Sequence, residues 1–207
     1  MPNDEPEYEK RSVERLVFFS DAVVAIAITL LAIDLPVPFG ANAGAFWASA
    51  RAHDGTYLAF LVSFLSIAVA WSHHHDAFKY AKRADPWLRN ATMIWLLTII
   101  LIPFATKLLT GYGHDSLTVH ALRWGFYALL QTIDAAVLLA MTHHMAGHDL
   151  GSRDAEERAG DDWDSYGTML GFGLSIPVFF ATAYGWVLWI VLPILVARVN
   201  RYRRRRL

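Results

Sequence analysis

Two carboxylates stand inside otherwise apolar stretches, and histidines gather at two places. Asp21 lies in the run from Arg15 to Asp34, and Asp134 follows Gln131, Thr132 and Ile133 in a second apolar run. His73, His74 and His75 sit between Trp71 and Phe78, and His143, His144 and His148 end the stretch that holds Asp134. An ionisable group in an apolar segment is costly unless paired, so each is a functional candidate: a hydrogen-bonding network, a proton relay or an ion site. For Asp21 the available partners are Arg15, Ser20, Trp71 and His74, and a structural network is the preferred reading, because these donors stabilise a carboxylate. Asp134 with Gln131 and Thr132 suits a proton relay or a coupling-ion site. Hydrogen bonding between helices is its plainer role. Six histidines near one boundary invite a metal or haem site. Adjacent ones point about 100° apart on a helix, so they read as interfacial side chains.

The same first run carries a second pattern. At about 100° per residue, Ile26, Leu30 and Ile33 fall at about 0°, 40° and −20°, with Ala22 and Thr29 beside them. Ser20 and Asp21 fall at about 120° and −140°, away from that stripe. One face is greasy and narrow; the other begins with a polar pair.

These residues need long apolar helices to position them. Of 207 residues 55% are hydrophobic and 18% charged, against about 25% charged in an average soluble domain. A span needs roughly 20 apolar residues to cross a hydrocarbon core of about 30 Å. Six runs qualify, at 16–35, 57–75, 87–109, 119–145, 167–182 and 184–199. The reading is therefore an all-α polytopic membrane protein, one unit over 1–207, with six transmembrane helices. The segment Met1–Glu14 has no apolar stretch and is not read as a cleavable signal.

Charge supports that count. With the first residue cytoplasmic, all but three of the 18 Lys and Arg fall inside, the exceptions being Arg51, Lys107 and Arg123. That satisfies the positive-inside rule and puts both termini in the cytoplasm. The terminal run Arg201 to Arg206 reads as a topology anchor beside anionic lipid. A net charge of −1 excludes a generally basic nucleic-acid binder, and the absence of cysteine excludes thiolate sites and disulfides. The acidic stretch Ala146–Tyr166 reads as a solvated linker.

Arg15, Phe19, Ser20 and Asp21, continuing through Ala25-Ile26-Ala27-Ile28-Thr29-Leu30-Leu31, form a pattern that resembles the signature of the endosomal and lysosomal potassium channel family, transmembrane protein 175, in its single-repeat bacterial form. Trp71, His74, His75 and Phe78 resemble the end of that family's second helix, and Pro103-Phe104-Ala105-Thr106 the end of its third. The similarity covers roughly the first 110 residues. It implies a homotetramer in the inner membrane, with the first helix of each subunit lining a potassium-selective pore. The family's narrowest ring would fall on Ile26, and further pore positions on Thr29, Leu30 and Ile33. Arg15, Phe19, Ser20, Asp21, Trp71 and His74 would hold the helices together. The run of three histidines departs from the pattern by adding His73.

Rings of isoleucine and leucine offer no oxygen to replace lost water, so a permeant ion must stay largely hydrated and a narrowed ring closes by dewetting. Potassium ions and the bilayer are the expected partners, with no cofactor, no enzymatic activity and no nucleic acid. Thr110-Gly111-Tyr112-Gly113-His114-Asp115 looks like a carbonyl filter, yet it follows a complete span rather than a re-entrant pore helix and reads as an external turn. The competing function is a proton-coupled or cation transporter, or a proton leak, through Asp134 and the cytoplasmic-side histidines.

Overall fold

In a computed structural model the protein is described over residues 5–79, 81–111, 116–148, 150 and 163–204. The helices among the described residues are α1 (Glu5–Ile33), α2 (Ala43–Arg51), α3 (Asp54–Phe78), α4 (Pro86–Leu109), α5 (Leu117–Gly147), α6 (Trp163–Phe179) and α7 (Val187–Arg204). All six apolar runs overlap one of them. Four helices are long and apolar enough to cross a membrane: α1 from Lys10, α3, α4 and α5. At about 1.5 Å per residue, a helix of 24 residues reaches about 36 Å. Helices α6 and α7, of 17 and 18 residues, form an antiparallel hairpin on α5. Tyr112 to Asp115, most of the acidic linker and Arg205 to Leu207 lie outside the described residues.

Helix ends follow the chemistry of their caps. Asp85 accepts a hydrogen bond from the Leu88 N–H at 2.7 Å and precedes Pro86, whose fixed φ suits a first helical turn. Ser116 starts α5 in the same way, accepting from Val119. Two differences from the sequence reading stand out. α1 begins about three turns before its apolar run, since Lys10, Arg11 and Glu14 are good helix formers in water. α2 was not anticipated at all: Asn42 caps it by accepting from Ala45 at 2.9 Å, and it exposes Phe46 and Trp47.

The core lies among α3, α4 and α5, where Ile67, Leu88, Trp95, Ile99, Ile102, Tyr127 and Met141 are buried. α1 leans on α3 and α4 from one side, and the α6–α7 hairpin leans on α5 from the other. Close approach within the hairpin depends on small residues four apart. A Cβ on Gly167 would meet the Pro193 Cα at 2.9 Å, and one on Gly171 the Leu188 carbonyl oxygen at 2.9 Å. Rings then fill the seam with α5: Trp189 packs on Phe172 at 4.7 Å and on Tyr127 at 5.5 Å, and its Nε1–H donates to Ser175 Oγ at 2.8 Å.

Several hydroxyls inside the bundle are joined across helices, which satisfies them where water is absent. Thr106 Oγ1 donates to Ser63 Oγ at 2.7 Å, and Ser63 Oγ lies 3.2 Å from the Tyr127 hydroxyl. This chain links α4, α3 and α5 in turn.

Outside the spans, Asp85 also pairs with His144 Nε2 at 2.8 Å. Burial opposes ionisation of Asp85, but the Leu88 N–H, the His144 hydrogen bond and the charges of His144 and His148 outweigh it and hold the carboxyl below its ordinary pKa. A group depressed in the folded state contributes stability that is complete above its unfolded pKa, about 4, and is lost as pH falls through the lower folded value. Thermal unfolding in detergent should therefore show an acid destabilisation below about pH 4 that shrinks in Asp85→Asn, a variant expected to cost at most about 1 kcal/mol at neutral pH. Parallel acid slopes in the two proteins would remove the pair from the account.

Candidate functional site

α1 has two faces set by helical phase. Val13, Ser20, Val24, Ala27 and Leu31 are buried against α3 and α4. The opposite stripe is uncovered among the described residues: Ile26 is 58% exposed, Leu30 46% and Ile33 77%. Thr29 belongs to that exposed side and donates its hydroxyl hydrogen to the Ile26 carbonyl at 2.8 Å. The hydroxyl is spent as a donor, so its oxygen lone pairs are what the stripe presents. All four stripe residues named from the sequence thus share one surface, and an apolar ridge with a single oxygen per turn-pair can border a hydrated cation without binding it.

Ties to α3 and α4 fix the rotation of that ridge. The Trp71 Nε1–H donates to Asp21 Oδ1 at 2.8 Å and Arg89 Nη2 donates to Ser12 Oγ at 3.3 Å, while Lys107 Nζ and Asp34 Oδ2, 2.6 Å apart, form an exposed ion pair at the far end that adds little to this hold. Just past α1, the Tyr57 hydroxyl donates to the Pro36 carbonyl at 2.7 Å.

Of the six network residues named from the sequence, Asp21 and Trp71 are brought into contact. Ser20 is buried but bonds its own helix, donating to the Leu16 carbonyl at 2.9 Å. His74 is fully buried as an aromatic plate between Trp95, at 4.1 Å and 5° between planes, and Phe78, at 4.4 Å. Neither of its ring nitrogens has a hydrogen-bond partner among the described residues. Arg15 and Phe19 are exposed, and no bond joins Arg15 to Asp21 among the described residues. Phase explains this: at about 100° per residue both fall within about 20° of Ile26, on the ridge itself.

The other titratable clusters are occupied locally. His144 and His148 stand four apart, a spacing able to chelate a metal and overlooked in the sequence. Their rings stack at 4.1 Å, Asp85 engages His144 Nε2, and His143 Nδ1 lies 2.8 Å from the Leu139 carbonyl. Among the described residues no three His, Asp or Glu side chains converge on a metal-sized point. Asp134, 5% exposed, accepts from Thr98 Oγ1 at 3.3 Å. With Gln131 it borders a cavity of about 840 Å³ between α3 and the α5–α7 side, walled mainly by Val62, Leu65, Phe172 and Trp189 and reaching from His53 to His73.

A family model described as endosomal/lysosomal potassium channel TMEM175 matches residues 15–103, which hold most of α1 and α4 and all of α3. A potassium channel of Streptomyces collinus is 34% identical over 136 residues, 65% of this chain and 66% of the relative. One from a Chryseobacterium species is 34% identical over 93 residues, 45% of this chain and 46% of the relative. The matched stretch thus spans about half to two thirds of those relatives' lengths. The crystal structure of a lysosomal potassium-selective TMEM175 homolog from Chamaesiphon minutus superposes with a TM-score of 0.71 at 26% identity, covering 89% of this chain and 96% of that one. The chain belongs to the TMEM175 family.

Within this TMEM175 chain, the family match ends at Pro103, and the three C-terminal helices rest on the structural likeness, which covers 89% of the chain. The ridge and both of its ties to α3 fall inside the matched region, whereas each contact with α4 has one member outside it, Ser12 or Lys107. Removing the Trp71 donor while keeping an aromatic ring, in Trp71→Phe, should cost about 1 kcal/mol. Asp21→Asn, which retains an acceptor, should cost less. Unfolding midpoints of the detergent-solubilised protein measure both, and an unchanged midpoint in Trp71→Phe would mean that this bond does not hold α1.

Proposed function

We propose that the chain is one subunit of a passive potassium channel of the inner membrane. The reading is a homotetramer of six-helix subunits with both termini cytoplasmic, α6 and α7 being the fifth and sixth spans. α1 of each subunit lines the central pore, and Ile26, Thr29, Leu30 and Ile33 meet their copies at the axis. Ser20, Asp21, Trp71 and His74 set the position and rotation of that helix at its inner end within the subunit, and Arg15 and Phe19, exposed on the ridge side, hold it against the neighbouring subunit. One observation carries the proposal: the Ile26–Leu30–Ile33 ridge is left bare by a helix whose other face is packed, inside the region matched by a potassium channel family model.

The physics is that of a hydrophobic constriction. An ion crossing four isoleucines keeps its water or loses it without replacement, and potassium, the more weakly hydrated ion, is disfavoured less than sodium. Thr29 oxygens one turn on steady the hydrated ion. A modest narrowing expels water and closes the path.

A transporter or proton-leak reading would run through Asp134 and its cavity. The favouring observation is a buried carboxylate beside Gln131, whose Nε2 lacks a partner among the described residues; against it stand the Thr98 bond and the apolar walls. In liposomes a potassium gradient should drive flux that exceeds sodium flux, and Ile26→Asn or Ile26→Cys should change it. Asp134→Asn should leave potassium flux unaltered. Flux insensitive to substitution at both Ile26 and Leu30 would overturn the pore assignment, and strict dependence on Asp134 would favour the transporter.

A further inference from the structure

We infer that Asp34 and Lys107 form a charge-balanced ring at the outer mouth of the pore, in which Lys107 sets how strongly Asp34 concentrates permeant cations. The inference rests on the reading of α1 as the pore helix. Asp34 is the first residue after α1 and follows Ile33, at 77% the most exposed of the ridge. A hydrated ion leaving the last apolar ring therefore meets the Asp34 carboxylates within one residue. Lys107, in the last turn of α4, places its Nζ 2.6 Å from Asp34 Oδ2.

Exposure argues that this pair acts on the solution rather than on the fold. The side chains of Lys107 and Asp34 are 59% and 48% exposed, and ion pairs so placed add little to stability. The same corner is already tied by the Tyr57 hydroxyl on the Pro36 carbonyl. Replicated about an axis, unpaired carboxylates would form a ring that raises the local cation concentration, whereas paired ones leave it near neutral. The sign of the mouth potential is thus decided by which member is present. Screening limits its reach to about 30 Å at 10 mM salt and about 3 Å at 1 M.

Single-channel recording in planar bilayers tests this with Lys107→Gln, Asp34→Asn and the double variant. At about 10 mM KCl, Lys107→Gln frees the carboxylates and should raise potassium conductance about twofold or more, and Asp34→Asn, leaving Lys107 unpaired, should lower it by a similar factor. The double variant should return close to the parent. At about 1 M KCl all four proteins should converge. Single variants that shift conductance equally at both salt concentrations, or Lys107→Gln without a rise, would overturn the inference and leave a mere tether between α1 and α4. Ile26→Cys, recorded alongside, separates the two levels: it should alter conductance at both salt concentrations, and if it does not, the pore reading itself is lost.

Discussion

Everything in this architecture depends on how α1 is seated. Small and medium side chains at Ser20, Val24, Ala27 and Leu31 allow the helix to lie close on α3 and α4, and the contact uses only one side of the cylinder. In a bilayer the hydrophobic effect does not drive helix against helix, so close packing and specific polar ties must do so. Asp21 to Trp71 and Ser12 to Arg89 supply ties toward one end, Tyr57 to the Pro36 carbonyl just past the other. With both ends held, the helix cannot roll, and the ridge of Ile26, Leu30 and Ile33 keeps a fixed direction.

How much of this is legible in sequence follows from distance along the chain. The two faces of α1 are a property of phase within a single helix, so Ile26, Thr29, Leu30 and Ile33 emerge from counting alone. Phase equally puts Arg15 and Phe19 on the ridge, but the motif that groups them with Asp21 hides this. Pairs between elements are opaque: Asp34 and Lys107 are far apart in the chain, as are Asp85 and His144, and no local pattern joins them. α2 escapes notice because nine residues with Gly44 among them give too short a period, and only the Asn42 cap signals it. The spacing of His144 and His148 is visible in the sequence and easily lost behind the adjacent His143.

The buried polar groups divide by what they serve. Thr106, Ser63 and Tyr127 bond one another across three helices, and Thr98 meets Asp134 across two. Such links tie α3, α4 and α5 to one another and make that core stiff. The aromatic seam around Trp189 extends that stiffness into the α6–α7 hairpin, where Gly167 and Gly171 admit the opposite backbone. The stiff part of the chain thus includes α3 and α4, on which α1 is seated.

That distribution suits a conduction path without oxygen ligands. A carbonyl filter gains selectivity from the field of many dipoles and tolerates small motions of the scaffold by adjusting them. An apolar ring has only its radius, because a side chain that cannot coordinate an ion discriminates by how much hydration it strips. Packed interiors resist small displacements, unlike a liquid. In the proposed tetramer, seating α1 on a core cross-linked by hydroxyls and rings would convert packing precision into ring diameter. Ties at both ends would act on the same variable, since either one released would let the helix tilt and carry Ile26 toward or away from its proposed copies.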